Sequence, residues 1–472
     1  MDSSHAALNG DPIGDRDVLV REAVERARAS AFYAEHLRDH RVHDRGDLRA
    51  LPLTEKQHLR EAGPFGMLAV PPGKAWHYAE SSGTTGEPIS SWCGLAELRR
   101  MAEILRSLTP ELAADTILLN RYPLFAPVAF LFEEALRLAG ACHIPAGNMT
   151  WDVPFDRAID FIRRLGVTAI ASLPLEPILL FELARELKLD PARDLSTLEV
   201  IFLGGAVLPP ALRRRIESDW QARVVEIYGS NETMLMGVGC PQGRLHLCDD
   251  LLELEVLHPE THAPVPQGEI GVLTVTSLVH EVMPLVRYST GDLVRLDRDA
   301  CPCGRRGPTA HVLGRLEETI RYGERSAYAY DLVEAAYEVA ERFGTRIFFA
   351  LLLQRQVHLL LEVENPTNAN AECRDALVGR ELSAKLGLPV TVEYLPVGEV
   401  LDRSALLRTP RIYKPSLVTD WRTASRRPVT IMEAILEWPS FDWRTLGHLA
   451  RRGIRVARRR RRLWRQDQYG GE

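Results

Sequence analysis

Three short stretches concentrate the side chains able to do chemistry. Glu80-Ser-Ser-Gly-Thr-Thr-Gly-Glu-Pro88 sets the hydroxyls of Ser81, Ser82, Thr84 and Thr85 around Gly83 and Gly86. Glycines allow close backbone approach and the hydroxyls add donors to the amides, so a polyanion can be wrapped on several sides, with phosphate the natural guest. The loop has no lysine, so it is not a Walker A sequence. Glu226-Ile-Tyr-Gly-Ser-Asn-Glu-Thr-Met234 offers Tyr228 as a ring for stacking and Glu232 as a hard oxygen ligand suited to Mg²⁺. Pro284-Leu-Val-Arg-Tyr-Ser-Thr-Gly-Asp-Leu293 places Asp292 after a glycine turn, where its carboxylate can accept hydrogen bonds from sugar hydroxyls.

The cysteines divide into two sets. Seven in 472 residues is an odd, low number for a secreted scaffold and suits a reducing, cytoplasmic setting. Cys93, Cys142 and Cys373 are isolated and read as small buried hydrophobes. Cys240 with His246, and Cys301-Pro-Cys303, bring three thiolates and an imidazole that can close a tetrahedral zinc site, with Cys248 an alternative to His246. Such a site staples strands.

These groups need a scaffold, and the hydrophobic pattern outlines one. Arg16 to Asp39 has helical periodicity, and a turn-rich stretch follows. From about Asp115 to Tyr228 short apolar runs alternate with amphipathic helical segments, which predicts βαβ units and a mostly parallel sheet. From Leu251 alternating strands with Pro/Gly turns predict a second, more antiparallel layer. A smaller α+β unit follows a charged, Gly-containing junction. The expected class is α/β: a large N-terminal domain with mixed and parallel sheets and a smaller mobile C-terminal one. The divisions read from the sequence are a flexible 1–15, a large domain over 16–313, a hinge over 314–323, a small domain over 324–424 and a basic tail over 425–472.

Taken in order, the motifs resemble the adenylate-forming superfamily of acyl- and aryl-CoA synthetases, most closely the phenylacetate-CoA ligase branch, over roughly residues 50 to 420. Ser81 to Gly86 with Pro88 is similar to that family's phosphate loop. Leu203-Gly-Gly-Ala-Val-Leu-Pro209 looks like its adenine turn through Gly204, Gly205 and Ala206. Tyr228-Gly229 with Glu232 and Met234 resembles its YGxSExM, and Arg287 to Asp292 its RYxTGD. Leu313-Gly-Arg-Leu-Glu-Glu318 is similar to its GRxDD hinge, which implies a nucleotide contact for Arg315 and a swivel at Glu317. The resemblance also implies an adenylation lysine, for which Lys414 in Arg411-Ile-Tyr-Lys-Pro-Ser-Leu-Val-Thr-Asp420 is the candidate.

The implied activity has two half-reactions. A carboxylate attacks the α-phosphorus of ATP to give an acyl-adenylate and pyrophosphate; then a nucleophile, usually the CoA thiol, displaces AMP. ATP, Mg²⁺, CoA, an aromatic or other organic acid and a structural zinc are the expected ligands. The chain also departs from the family: Glu87 stands where the phosphate loop carries Lys or Arg, Ala206 where many relatives have Glu, Asn231 where they have Ser or Thr, and Tyr413 where Gly usually precedes the lysine. The acid-pocket segments Tyr122-Pro-Leu-Phe-Ala-Pro-Val-Ala-Phe130 and Ser172-Leu-Pro-Leu-Glu-Pro177 are bulkier and richer in proline, with Tyr122 and Phe125 as candidate lining residues. That divergence suggests specialised metabolism and leaves open an amine acceptor, or nitrite activation, while Glu87 and the Tyr413-Lys414 context leave open a degenerate nucleotide-binding protein.

Net charge is −6, which argues against nucleic acid as a partner, although nine arginines crowd residues 451–465. Neither a signal sequence nor a transmembrane run is expected, and a homodimer is compatible with the sequence.

Overall fold

The computed structural model describes residues 15–81, 88–147, 153–343, 348–353, 355–363, 371–399, 403 and 418–420. Lys414, the Ser82–Glu87 part of the phosphate loop and the arginine-rich tail lie outside them.

The chain begins with two helices, α1 (Arg16–Ala27) and α2 (Ala31–His36), where the periodicity predicts one. Ser30 explains the break. Its backbone is extended and its hydroxyl accepts from the Tyr33 N–H, so it caps a new helix instead of continuing the old one. After α3 (Lys56–Glu61), a hairpin of β1 (His77–Glu80) and β2 (Ser90–Cys93) leads into α4 (Leu95–Leu108). The alternation that follows is β3 (Ile117–Asn120), α5 (Pro127–Ala139), β4 (Cys142–Pro145), α6 (Phe155–Leu165), β5 (Ala169–Ser172), α7 (Leu175–Glu186), α8 (Pro191–Asp194), β6 (Val200–Gly204), α9 (Pro210–Trp220) and β7 (Arg223–Ser230). Then come β8 (Met234–Gly239), β9 (Leu245–Leu247), β10 (Leu252–Leu257), β11 (Ile270–Ser277), β12 (Tyr288–Asp297) and β13 (Thr309–Arg315).

The second layer expected from Leu251 is instead a continuation. The strands form one 11-stranded sheet in the order β10-β11-β12-β13-β9-β8-β7-β6-β5-β3-β4. From β4 to β7 neighbours run parallel, and from β7 to β10 antiparallel. Strand β9 makes the join by pairing with both β8 and β13. The central strands of the parallel half, Ala169–Ser172 and Val200–Gly204, are buried along their whole length, as strands covered on both faces must be. The carboxyl ends of β3, β5, β6 and β7 share one edge, the place where ligands bind in such sheets.

Among the described residues, those within 15–319 and 328–334, with Arg403, belong to one compact unit; those within 320–327, 335–399 and 418–420 belong to a second. In the second unit β14 (Ile320–Tyr322) and β15 (Arg325–Ala327) form a hairpin. After α10 (Ala329–Phe343), the strands β16 (Phe348–Leu352), β17 (Val357–Val363), β18 (Val390–Pro396) and β19 (Val418–Asp420) make a sheet ordered β18-β17-β16-β19, with α11 (Ala371–Leu386) between β17 and β18 in sequence. Among the described residues no helix is long and apolar enough to cross a membrane.

Candidate active site

Five polar side chains, four from strands β7, β12 and β13 and Glu232 from the turn after β7, converge beside the carboxyl end of β7. Tyr228 donates its hydroxyl to Asp292 Oδ2 at 2.7 Å, and Arg315 Nε lies 2.9 Å from Asp292 Oδ1. Arg315 also donates from Nη1 to the Thr290 carbonyl at 2.9 Å. Tyr288 donates to Glu232 Oε1 at 2.7 Å. The pairing of β12 with β13 sets Asp292 opposite Arg315, so the strand register itself builds the ion pair.

Burial is the largest influence on the protonation of Asp292, Tyr228, Tyr288 and Arg315. It raises the Asp292 carboxyl above its ordinary value, and the Arg315, Tyr228 and Lys56 side chains oppose that rise. Burial and then the Asp292 charge hold the Tyr228 phenol protonated, and burial with Glu232 does the same for Tyr288. For Arg315, burial works against the charge, but Asp292 and Glu232 more than offset it, so the guanidinium stays ionised. The result is a fixed set of donors and acceptors that needs no rearrangement to meet a ligand.

The turn after β7 is sterically obligatory. A Cβ at Gly229 would fall 1.7 Å from the Met234 carbonyl oxygen, and Met234 itself adopts φ 56°. At the end of β6, a Cβ on Gly204 would fall 2.2 Å from the Ile227 oxygen; Gly205 follows with φ +80° and Ala206 is exposed. Both turns therefore lie close-packed at one sheet edge.

The mouth of the phosphate loop is held on two sides. Ser81 and Ile89 exchange hydrogen bonds, Ser81 N–H to the Ile89 carbonyl at 3.0 Å and Ile89 N–H to Ser81 Oγ at 2.9 Å. Asn231 Nδ2 donates to the Glu80 carbonyl at 2.9 Å, tying the Tyr-Gly turn to the loop's entrance. The sequence marks Asn231 only as a departure; its anchoring role is a contact across 151 positions. Lys56 lies in no motif, and no local pattern singles it out.

The two acid-pocket segments are joined by a buried ion pair that the sequence did not reveal. Arg121, at the end of β3, lies with Nη2 2.7 Å from Glu176 Oε1 on α7, with side chains 1% and 5% exposed. Burial still raises the Glu176 carboxyl, with Arg121 opposing. Tyr122 is 2% exposed in the main core, stacked on Phe132 with its hydroxyl beside Gly204, whereas Phe125 is 53% exposed. The ring of Phe125 lies edge-on to Tyr78 at 6.4 Å.

A second cluster occupies the antiparallel half. The Sγ atoms of Cys240, Cys301 and Cys303 and one nitrogen of His246 all lie within 4.8 Å of one another. Cys240 Sγ is 3.9 Å from Cys301 Sγ, and Cys303 Sγ 3.3 Å from His246 Nε2. A tetrahedron with metal–sulfur bonds of about 2.3 Å has edges of roughly 3.8 Å, and slightly less to nitrogen, so the donor set fits Zn²⁺. Cys248 is buried outside this group, so His246 supplies the fourth donor.

A family profile described as AMP-binding enzyme matches residues 42–283, just over half of the chain. The chain belongs to the AMP-binding enzyme family. It is 34% identical over 286 residues to a phenylacetate-coenzyme A ligase of Thermus thermophilus, a match covering 58% of this chain and 62% of that protein. A phenylacetate-coenzyme A ligase of Aromatoleum evansii is 29% identical over 299 residues, covering 61% and 66%. The matched segments thus span under two thirds of these relatives' lengths. The fold is similar to a crystal structure of 2-hydroxyisobutyryl-CoA ligase in the postadenylation state, with TM-score 0.76 at 21% identity over 90% of this chain and 92% of that one. The crystal structure of an anthranilate CoA ligase bound to anthranoyl-AMP is similar at TM-score 0.52 and 16% identity, over 68% and 63%. In this AMP-binding enzyme, Tyr228, Glu232, Asp292 and Arg315 come together, and the Cys/His cluster stands as a separate group. Ser82 to Gly86 and Lys414, the other sequence candidates, fall outside the described residues.

Proposed function

We propose that this protein is an ATP-dependent, AMP-forming acid-CoA ligase whose substrate is an aromatic carboxylic acid. The observation that carries the reading is the Tyr228–Asp292–Arg315 constellation, built from three strands in the order of the family's nucleotide motifs. Tyr228 would stack on the adenine while its hydroxyl is steadied by Asp292. The Asp292 carboxylate, held by Arg315, would accept from the ribose hydroxyls. Glu232, fixed by Tyr288, would hold Mg²⁺ on the triphosphate. Lys414 is assigned from sequence as the cation that neutralises charge at the α-phosphorus when the acid's carboxylate attacks and pyrophosphate departs. The acyl-adenylate then passes its acyl group to the CoA thiol, releasing AMP. Cys240, His246, Cys301 and Cys303 would hold a structural Zn²⁺ that ties β8, β9 and the Cys301 turn together, with no part in the chemistry.

The aromatic preference rests on the phenylacetate-CoA ligase relatives and on the paired aromatic side chains Tyr78 and Phe125; Tyr122, packed in the main core, does not contribute to it. Acid-dependent ATP–pyrophosphate exchange over benzoates, cinnamates, arylacetates, amino-aryl acids and nitrite, with short aliphatic acids alongside, tests it without assuming an acceptor. Exchange with an aryl acid, followed by thioester formation with CoA, is the expected outcome. Exchange with aliphatic acids alone would remove the aromatic assignment, and exchange with no acid while ATP binds would remove the ligase assignment.

A further inference from the structure

The phosphate loop has no cation between Ser81 and Pro88; position 87 carries a glutamate instead. The constellation next to it is also short of positive charge. Asp292, Glu232 and Glu317 are carboxylates, and Arg315 is already committed to Asp292 and the Thr290 carbonyl. A polyanion entering such a site needs a further cation.

The N-terminal segment supplies one. Thr54 bridges to Tyr288 in parallel, with its N–H donating to the Arg287 carbonyl at 3.0 Å and its carbonyl accepting from Ser289 N–H at 2.8 Å. Its hydroxyl donates to the Val286 carbonyl at 2.8 Å and accepts from the Tyr33 hydroxyl at 3.1 Å. This register fixes residue 54 alongside the strand that carries Asp292, and α3 starts two residues later. Lys56, the first residue of α3, therefore extends along Ser289 to Gly291. A Cβ on Gly291 would lie 3.2 Å from Lys56 Nζ, and the Lys56 charge acts to lower the Asp292 carboxyl. The ammonium forms an ion pair with Glu317, whose Oε1 is 3.9 Å away on a half-exposed side chain. A pair that long and that wet binds the ammonium weakly.

We infer that Lys56 is a binding residue for the polyphosphate of the nucleotide, supplying from α3 the positive charge that the loop lacks. The inference rests on the adenylation reading and adds a residue to it. A compact ammonium on a flexible stem suits a phosphate oxygen, where it acts as a point charge. Nothing about it requires the adenine or ribose, so its contribution should appear with ATP and vanish with adenosine.

Calorimetric titration of wild type, Lys56→Ala and Lys56→Arg with MgATP and with adenosine tests this. The expected result is a loss of ATP affinity of about 10- to 100-fold in Lys56→Ala. Adenosine affinity should stay within about twofold, Lys56→Arg should recover most of the loss, and the wild-type preference for ATP should shrink as salt rises. Lys56→Gln, which keeps much of the stem, replaces the alanine variant if that one fails to fold. Unchanged ATP affinity in the neutral variants would overturn the inference while leaving the adenylation reading intact. An equal loss of ATP and adenosine would also overturn it, because the residue would then be shaping the site rather than meeting phosphate. A wild-type protein that binds neither ligand would remove the adenylation reading and this inference with it.

Discussion

The nucleotide-facing constellation and the cysteine–histidine cluster are built on the same sheet, yet they satisfy their polar groups in opposite ways. In the first, each carboxylate already has a partner: Asp292 holds Arg315 and Tyr228, and Glu232 holds Tyr288. In the second, three thiols and an imidazole face one another, through contacts of sulfur to sulfur and sulfur to nitrogen. A set of mutually paired groups is rigid before any ligand arrives and can present a fixed field to it. A set of converging donors is complete only around a cation. One arrangement suits turnover, the other a staple.

That contrast can be broken by separating activity from stability. Asp292→Ala should lower acid-dependent pyrophosphate exchange by roughly 100-fold or more, since it strands both Arg315 and Tyr228, while metal content stays at its wild-type level. Exchange at the wild-type rate would sink the role given to Asp292. Cys301→Ser should do the reverse, losing bound zinc and about 3 kcal/mol or more of stability, while exchange per folded molecule persists. Metal analysis and thermal melts read both changes; wild-type protein containing no zinc ends that half of the comparison.

A buried carboxyl outside both clusters sharpens the point. Glu97 caps α4, accepting from the Gly94 and Val282 N–H groups, and burial pushes its carboxyl up to about 7 with Glu281 nearby. Because this value is raised in the folded state, its stabilising effect is complete below about 4.5 and fades as pH climbs through about 7. The melting temperature should therefore fall between about pH 5 and 8, by a contribution of at most about 3 kcal/mol, and Glu97→Gln should flatten that slope. An identical slope in the variant would mean that other groups govern it. The smallest effect expected is for Asn231→Ser, which loses the bond to the Glu80 carbonyl and should raise the KM for ATP about fivefold with little change in kcat. A kcat loss with unchanged KM would contradict the anchoring role.

How much of this is legible in the sequence follows the range of each interaction. Tyr228, Glu232 and Asp292 lie in short stretches whose residue types suit a ligand, but they and Arg315 stand out only through the order of motifs that carries the family resemblance, whereas the alternating strands and helices between Asp115 and Tyr228 are legible from local pattern. The Tyr288–Glu232 bond spans 56 positions and the Arg121–Glu176 pair 55, and neither leaves a periodic or compositional trace. Lys56 is invisible for the same reason, since its place depends on Thr54 pairing with a strand more than 200 residues away. The antiparallel strands after Leu251 are readable as strands, but their membership in the main sheet depends on β9, only three residues long. The split between α1 and α2 turns on one capping serine inside an otherwise helical pattern.

Strand β7 is where the parallel run stops and the antiparallel run begins. A nucleotide seated at its carboxyl end would touch residues borne by both runs, and linkage then spreads its effect over the whole sheet. Amide hydrogens in β5 and β6 and those in β12 and β13 should slow their exchange together when ATP binds, as a single cooperative block and not as two neighbouring ones.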